Sequence, residues 1–473
     1  MIREDRSNPL PSQTVSSGFT THTSPILHFR NDQRFLQLLF ITLHFPLGLV
    51  LRVAPSLGAI QAGLIVLIGL RAVSRSSRSD ITAISALGYL MGGEVLWRML
   101  GLSPLPPYEG GKYAAIVIAT VGIMRRYRHV REWPLIPFLY LLCLLPSMIM
   151  LLGEVDLAFA RGAVVGNLTG PMVLGLCSLY LAGVELNSKE VEQLATWVLA
   201  PILSISALVL YGTYEAQQAG NLYFSTSSNM TTSAEFGPNQ VSNTLALGAL
   251  ICWLWLVSFR TRIIEIIIIL FILLGLTTQI LLTFSRGGAY VLGLCIVGTV
   301  IVQALNVTGE SPAYLGRWIR RLSIALPALI FVVWPWVDDF TEGALTKRYS
   351  EEDTVRTQII ATELDIWRDH PVFGVGPGRV QTFIRQYSSL GNQTHTEFTR
   401  LLAEHGMFGA FGISLLISGV IGRYRRNRNV HARTWIISCA AYTFLYMTQA
   451  ATRTVAPAVM YALIWTQLFS DPE

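Results

Sequence analysis

Near its C-terminal end the chain reads THTEFTRLLAEHG, Thr394 to Gly406. Thr394 and Glu397 stand at Thr-x-x-Glu spacing, the signature of a helix start at which the two side chains cap backbone N–H groups reciprocally. That spacing places His395 in the first helical turn, where the partial positive charge of the helix end disfavours imidazolium. A histidine kept neutral near pH 7 can accept a proton, which is the task of a general base. Arg400 lies three residues after Glu397 and four before Glu404, so the three can form an ion-paired strip along one helix face. The plainer alternative is a capped, solvent-facing helix start with an incidental histidine.

A second candidate is Arg286 in TFSRGGAYVLG, which follows one apolar run and precedes another. A charge beside a membrane span is costly and marks a functional position by default. A guanidinium presents fixed paired donors and therefore suits a phosphate. The alternative is an interfacial arginine whose side chain reaches for lipid headgroups. Gly287 and Gly288 allow close backbone approach. Arg161 and Arg453 are weaker instances of the same kind, on the same side. GVGPGR, Gly374 to Arg379, has no strand before it and no nucleotide-binding helix after it, so it reads as a turn. His395, Glu397, Glu404 and His405 cluster in sequence, but without a His-x-x-x-His pair or a cysteine set, and no metal or cofactor is expected.

These residues sit in a chain of 473 residues that is 52% hydrophobic and 14% charged. A soluble domain averages about 25% charged. Many apolar runs approach the roughly 20 residues that cross a bilayer as a helix. They are continuous, unlike the alternating segments of a membrane barrel. The expected fold is an all-α polytopic membrane protein with about 12–14 transmembrane helices. Spans are expected near 35–51, 57–70, 81–100, 113–124, 134–152, 163–184, 192–212, 241–258, 263–282, 287–305, 322–337, 401–421, 434–450 and 455–469. The chain then divides into a disordered cytoplasmic tail (1–34), transmembrane helices (35–337), a long loop carrying site residues (338–400) and C-terminal transmembrane helices (401–473). Cys143, Cys177, Cys252, Cys295 and Cys439 each lie inside an apolar run and read as small core residues.

The net charge of +6 lies mostly between the apolar runs, where it sets topology and does not point to nucleic acid. With the N-terminus inside, RAVSRSSR, RRYRHVR, FRTR, GRWIRR and RYRRNRNVHAR all fall on the cytoplasmic side. Two long connectors, about 213–240 and 338–400, fall outside, and connectors this long are usually functional or disordered. In the second, DTVRTQIIATELDIWRDHP has apolar residues at helical spacing, a cap near Asp353/Thr354 and a stop before Pro371. A helix at the outer membrane surface is expected there, then a glycine turn, then a second polar helix leading to His395.

TFSRGG, TVRTQIIATELDIWRDHPVFGVGPG and HTEFTRLLAEHGMFG, in this order, resemble the O-antigen ligase and polymerase family of bacterial membrane glycosyltransferases. The resemblance covers about residues 240–425. It implies transfer of a glycan from undecaprenyl diphosphate to an acceptor hydroxyl at the periplasmic face of the inner membrane, without cofactor or metal and with inversion. An O-antigen ligase is the first reading. O-antigen or exopolysaccharide polymerase and protein O-oligosaccharyltransferase are the alternatives, with a glycan, lipid A core or protein as acceptor. The resemblance further implies His395 as the base and Arg286 and Arg356 as holders of the diphosphate. Arg379, Arg400 and Glu404 lie in the matched motifs. A transporter of lipid-linked glycan is the rival from another class. It would gather its charges near the bilayer midplane, whereas here they gather at one surface.

Overall fold

The computed structural model describes residues 33–75, 81–102, 108–126, 134–259, 261–305, 332–351, 354–387, 396–449 and 453–470. The tail expected over 1–34 and the span expected over 322–337 fall largely outside these residues.

The chain is a bundle of helices. In order they are α1 Gln33–Val53, α2 Ser56–Arg75, α3 Ile81–Met99, α4 Gly110–Arg126, α5 Leu135–Cys143, α6 Leu145–Glu154, α7 Leu157–Leu181, α8 Ser188–Gln218, α9 Pro238–Ser258, α10 Ile263–Leu282 and α11 Arg286–Leu305. There follow α12 Trp334–Phe340, α13 Ala344–Ser350, α14 Thr354–Asp369, α15 Val380–Tyr387, α16 Glu397–Arg426, α17 Val430–Met447 and α18 Val455–Leu463. Among the described residues nine helices, with α5 and α6 counted as one, are long and apolar enough to cross a membrane. The protein is an all-α polytopic membrane protein. The five cysteines are free and buried, as expected of core residues.

The sequence explains the helices locally. The α10 run IIEIIIILFILLGLTTQILL is rich in β-branched residues that favour strands elsewhere. In lipid every backbone group must be satisfied within the segment, and helix is what remains for a lone run of this length. Asn187 caps α8, accepting the Glu190 amide at 3.1 Å while Glu190 accepts the Asn187 amide at 2.9 Å. The expected span 134–152 is two helices, because Pro146 has no N–H to continue the ladder.

Helices α3, α4, α17 and α18 stand at expected spans, but they are not among those nine. Helices α4 and α18 are short, with 17 and 9 residues, whereas α3 is buried from Ala83 to Arg98 and carries Glu94 and Arg98 there, so its surface need not match lipid. The span expected at 455–469 needs correction. Only Val455–Leu463 is helical, and the chain then turns into a short strand, Gln467–Leu468, that pairs in parallel with Glu185–Leu186. This helix starts inside the bundle, where the buried Glu94 carboxylate accepts the Val455 amide at 2.6 Å. A carboxylate is well placed at the positive end of a helix.

Successive helices alternate in direction. The connectors 99–110, 154–157, 218–238, 282–286 and 340–397 therefore gather at one end, and Arg75, Arg125, Arg126, Arg423, Arg425 and Arg426 close helices at the other. Two small cores cover the first end. One joins Phe284 and the end of α10 to Val337 and Leu345. The other joins Ile359 and Ile366 of α14 to Val380, Ile384 and Ala403. Helix α16 is interrupted at Gly406, whose φ of 59° and ψ of −136° are not helical. A Cβ at this position would stand 2.5 Å from the carbonyl of Val372, so glycine is required there.

Candidate functional site

The turn between α10 and α11 is tightly built. Phe284 takes the left-handed conformation at φ 53°, which costs a bulky residue strain. Three contacts hold it. The Thr283 hydroxyl accepts the Ser285 amide at 3.2 Å, the Arg348 guanidinium donates to the Phe284 carbonyl at 3.2 Å, and the Phe224 ring stacks on Phe284 at 5.3 Å. Loop 219–237 is tied to the same turn, since the Asn229 amide donates to the Thr283 carbonyl at 2.9 Å. The turn presents Arg286 as the first residue of α11, half-buried, donating to the Glu351 carbonyl at 2.5 Å. A cation in the first turn opposes the helix dipole. Guanidinium and helix end together favour an anion.

Gly287 and Gly288 let α11 start in contact with its neighbours. A Cβ at Gly288 would come within 2.6 Å of the Ser242 carbonyl oxygen of α9. Gly288→Ala is expected to lower stability by about 1–3 kcal/mol through overpacking, read as a fall in the thermal midpoint in detergent. An unchanged midpoint would mean that α9 and α11 do not meet there.

Helices α14 and α16 run parallel, side by side. The Thr399 hydroxyl donates to the Glu363 carboxylate. Eight residues further along both segments, the Met407 amide donates to the Pro371 carbonyl at 2.8 Å. Between them Val375 and Gly376 donate to the Ala403 and Glu404 carbonyls at 2.9 and 3.0 Å. The expected GVGPG turn is thus a splice between the loop and α16. Arg356 lies on the α14 face that holds Ile359, Glu363 and Ile366, about 10 Å beyond Glu363 along the axis. It therefore projects past the start of α16. The segment from Glu351, which Arg286 grips, to Arg356 can span at most roughly 18 Å. Arg286 thus bonds to the backbone five residues before Arg356.

His395 lies outside the described residues. The residue that caps α16 is Thr396, whose hydroxyl accepts the Thr399 amide at 3.1 Å. This corrects the expected Thr394–Glu397 capping box: Glu397 is the first helical residue, and His395 precedes the cap instead of sitting in the first turn. The reason is that Glu397 has a stronger partner. Arg400 donates to both of its carboxylate oxygens, at 2.8 and 2.5 Å. Arg400 also pairs with Glu404, which accepts the Gly378 amide at 2.8 Å. The expected strip exists, but it is buried, with Arg400 4% exposed and each glutamate 1%. Glu363 joins the same group. Burial, with the Glu404 and Glu397 carboxylates adding to it, pushes the Glu363 carboxyl up to about 7, against the pull of the Thr399 hydroxyl and Arg400.

The other expected residues are dispersed. Arg379 pairs with Glu154 at the end of α6 and borders a pocket of about 300 Å³ with His370, Phe373 and Phe383. Arg161 is exposed near the start of α7. Arg453 is exposed, and its carbonyl accepts from Arg98 at 2.7 Å. Arg98 was missed in the sequence. It also donates to Glu94 at 2.6 Å, Gln240 at 3.1 Å and the Tyr108 carbonyl at 2.9 Å, stapling α3 to α9 and the start of α18. The signal was a Glu-x-x-x-Arg pair inside an apolar span. Glu363 was missed too, although a carboxylate between Ile359 and Ile366 on one helix face was visible. Among the described residues no three His, Cys, Asp or Glu side chains group to hold a metal.

Residues 270–414 match the family model described as O-antigen ligase. The match starts in α10 and ends in α16, so it holds Arg286, Arg356, Arg379, His395, Glu397, Arg400 and Glu404 but neither Arg161 nor Arg453. No curated protein matches the chain.

Proposed function

We propose, from the match of residues 270–414 to the O-antigen ligase family model, that the chain transfers a glycan from a lipid diphosphate to an acceptor hydroxyl at the periplasmic face of the inner membrane. The observation that carries this reading is the meeting of Arg286 with the backbone at Glu351, which brings the first arginine beside the helix of the second. A diphosphate leaving group is the anion such guanidinium groups suit. As the anomeric C–O bond breaks, negative charge grows on the diphosphate, and guanidinium groups fixed beforehand stabilise it. His395 takes the acceptor's proton, and attack opposite the leaving group inverts the anomeric carbon. The arginines that close α2, α4 and α16 at the opposite end support a cytoplasmic side there. O-antigen ligation to the lipid A core is the reading preferred among the reactions of this class.

The test is transfer from purified lipid-diphosphate glycan to acceptor. Arg286→Ala and Arg356→Ala are each expected to abolish most transfer, with lysine restoring only part, because lysine keeps the charge and loses the paired donors. Normal transfer by both alanine variants would refute the diphosphate clamp. Deletion of the gene separates the outcomes within the class. Long lipid-linked chains left unattached mark a ligase, and single repeats mark a polymerase.

A further inference from the structure

Glu363 lies midway along α14 with a fully buried side chain. One carboxylate oxygen accepts the Thr399 hydroxyl, and the other has no hydrogen-bond partner among the described residues. The Thr399 hydroxyl also meets the Thr396 hydroxyl, which in turn accepts the Thr399 amide at 3.1 Å. Three side chains from two helices thus close on the cap of α16. Thr396 directly follows His395, and Arg356 lies two turns from Glu363 on the same face of α14.

A carboxyl is a costly choice for this position. Burial penalises its charged form, Glu397 and Glu404 repel it, and Arg400, the counter-charge to it, already serves those two. An apolar side chain of similar volume would pack between the helices at lower cost. What the carboxyl adds is a strong acceptor that reaches from one helix to the capping hydroxyls of the other.

We infer that Glu363 is a positioning residue, which through Thr399 and Thr396 fixes the start of α16, the residues that follow His395 in sequence, relative to the helix that carries Arg356. The inference rests on the roles proposed above for His395 and Arg356.

Glu363→Leu and Glu363→Gln test it in the purified full-length protein. In the leucine variant kcat is expected to fall about 10²-fold, the size of a small misplacement of reacting groups, with KM for the lipid-diphosphate donor changed less than about threefold. Glutamine keeps an acceptor for the Thr399 hydroxyl and is expected to recover most of kcat. Hydrogen–deuterium exchange at the Thr399 amide, which the cap protects, is expected to quicken about tenfold in the leucine variant and little in the glutamine variant. A leucine variant with wild-type kcat and wild-type exchange overturns the inference, as does a glutamine variant that folds normally but matches leucine in both readouts. If the wild-type protein transfers no glycan, the proposed function fails, while faster exchange confined to the leucine variant still upholds Glu363 as the residue that fixes the cap.

Discussion

Replacing His395 with alanine or glutamine is expected to lower transfer by about 10²–10⁴-fold, the usual contribution of a positioned base. Donor binding should remain within a few-fold of wild type, because the diphosphate is held by Arg286 and Arg356 and not by the imidazole. Single-turnover transfer and donor affinity, measured on the same preparation, separate the two effects. The placement supports the choice of this residue. A lipid-linked donor keeps its tail in the hydrocarbon while its sugar stands in water, so the reacting carbon is confined to the interface. In sequence His395 immediately precedes Thr396, the cap of a helix that descends from the loop into the bundle. Near-normal turnover by the glutamine variant would sink the assignment.

Arg400→Met should have the largest effect on stability. Arg400 is the counter-charge of two buried carboxylates, Glu397 and Glu404. Methionine fills much of the volume but leaves both carboxylates buried without a cation. Breaking a buried ion pair from one side costs about 3–5 kcal/mol. The loss should appear as a lower thermal midpoint and as proteolysis within 354–387, since the Gly378 amide is bonded to Glu404 and the loop core rests on Ala403. Adding Glu397→Gln and Glu404→Gln to Arg400→Met should restore much of the midpoint, because the stranded charges are then gone. If Arg400→Met alone melted like wild type, the network would not be holding the loop.

The parts of this fold that were legible in sequence are those set by the bilayer. A 20-residue apolar run has few alternatives to helix, and α10 matches its expected span at both ends. The loop helix, Thr354–Asp369, was legible because its apolar residues keep helical spacing and Pro371 follows its end. The site was harder to read, because its geometry comes from contacts between distant segments. The Arg400 strip could be predicted from spacing along one helix, yet its burial depends on α14, the glycine turn and Asn167 of α7. The capping box failed because two residues competed for one role, and only the buried partner of Glu397 decides between Thr394 and Thr396. Glu94 and Arg98 escaped notice because a span enclosed by protein can carry charges that a lipid-facing span cannot. The nine-residue helix at Val455 starts where expected but stops at Leu463, because the chain beyond it pairs as a strand with the distant Glu185–Leu186.

The left-handed residue inside α16 has a mechanical consequence. An unbroken helix would transmit any tilt of its membrane half directly to the half that holds Arg400. At Gly406 the ladder is broken, and the Met407 amide bonds to Pro371 of the loop instead. Residues 397–405 are joined to the loop through the Val375 and Gly376 amides, while residues 407–426 continue into the bundle. The frame of reference for the site is therefore the loop. A tilt of residues 407–426 has no continuous hydrogen-bond ladder by which to reach the ion-paired half above.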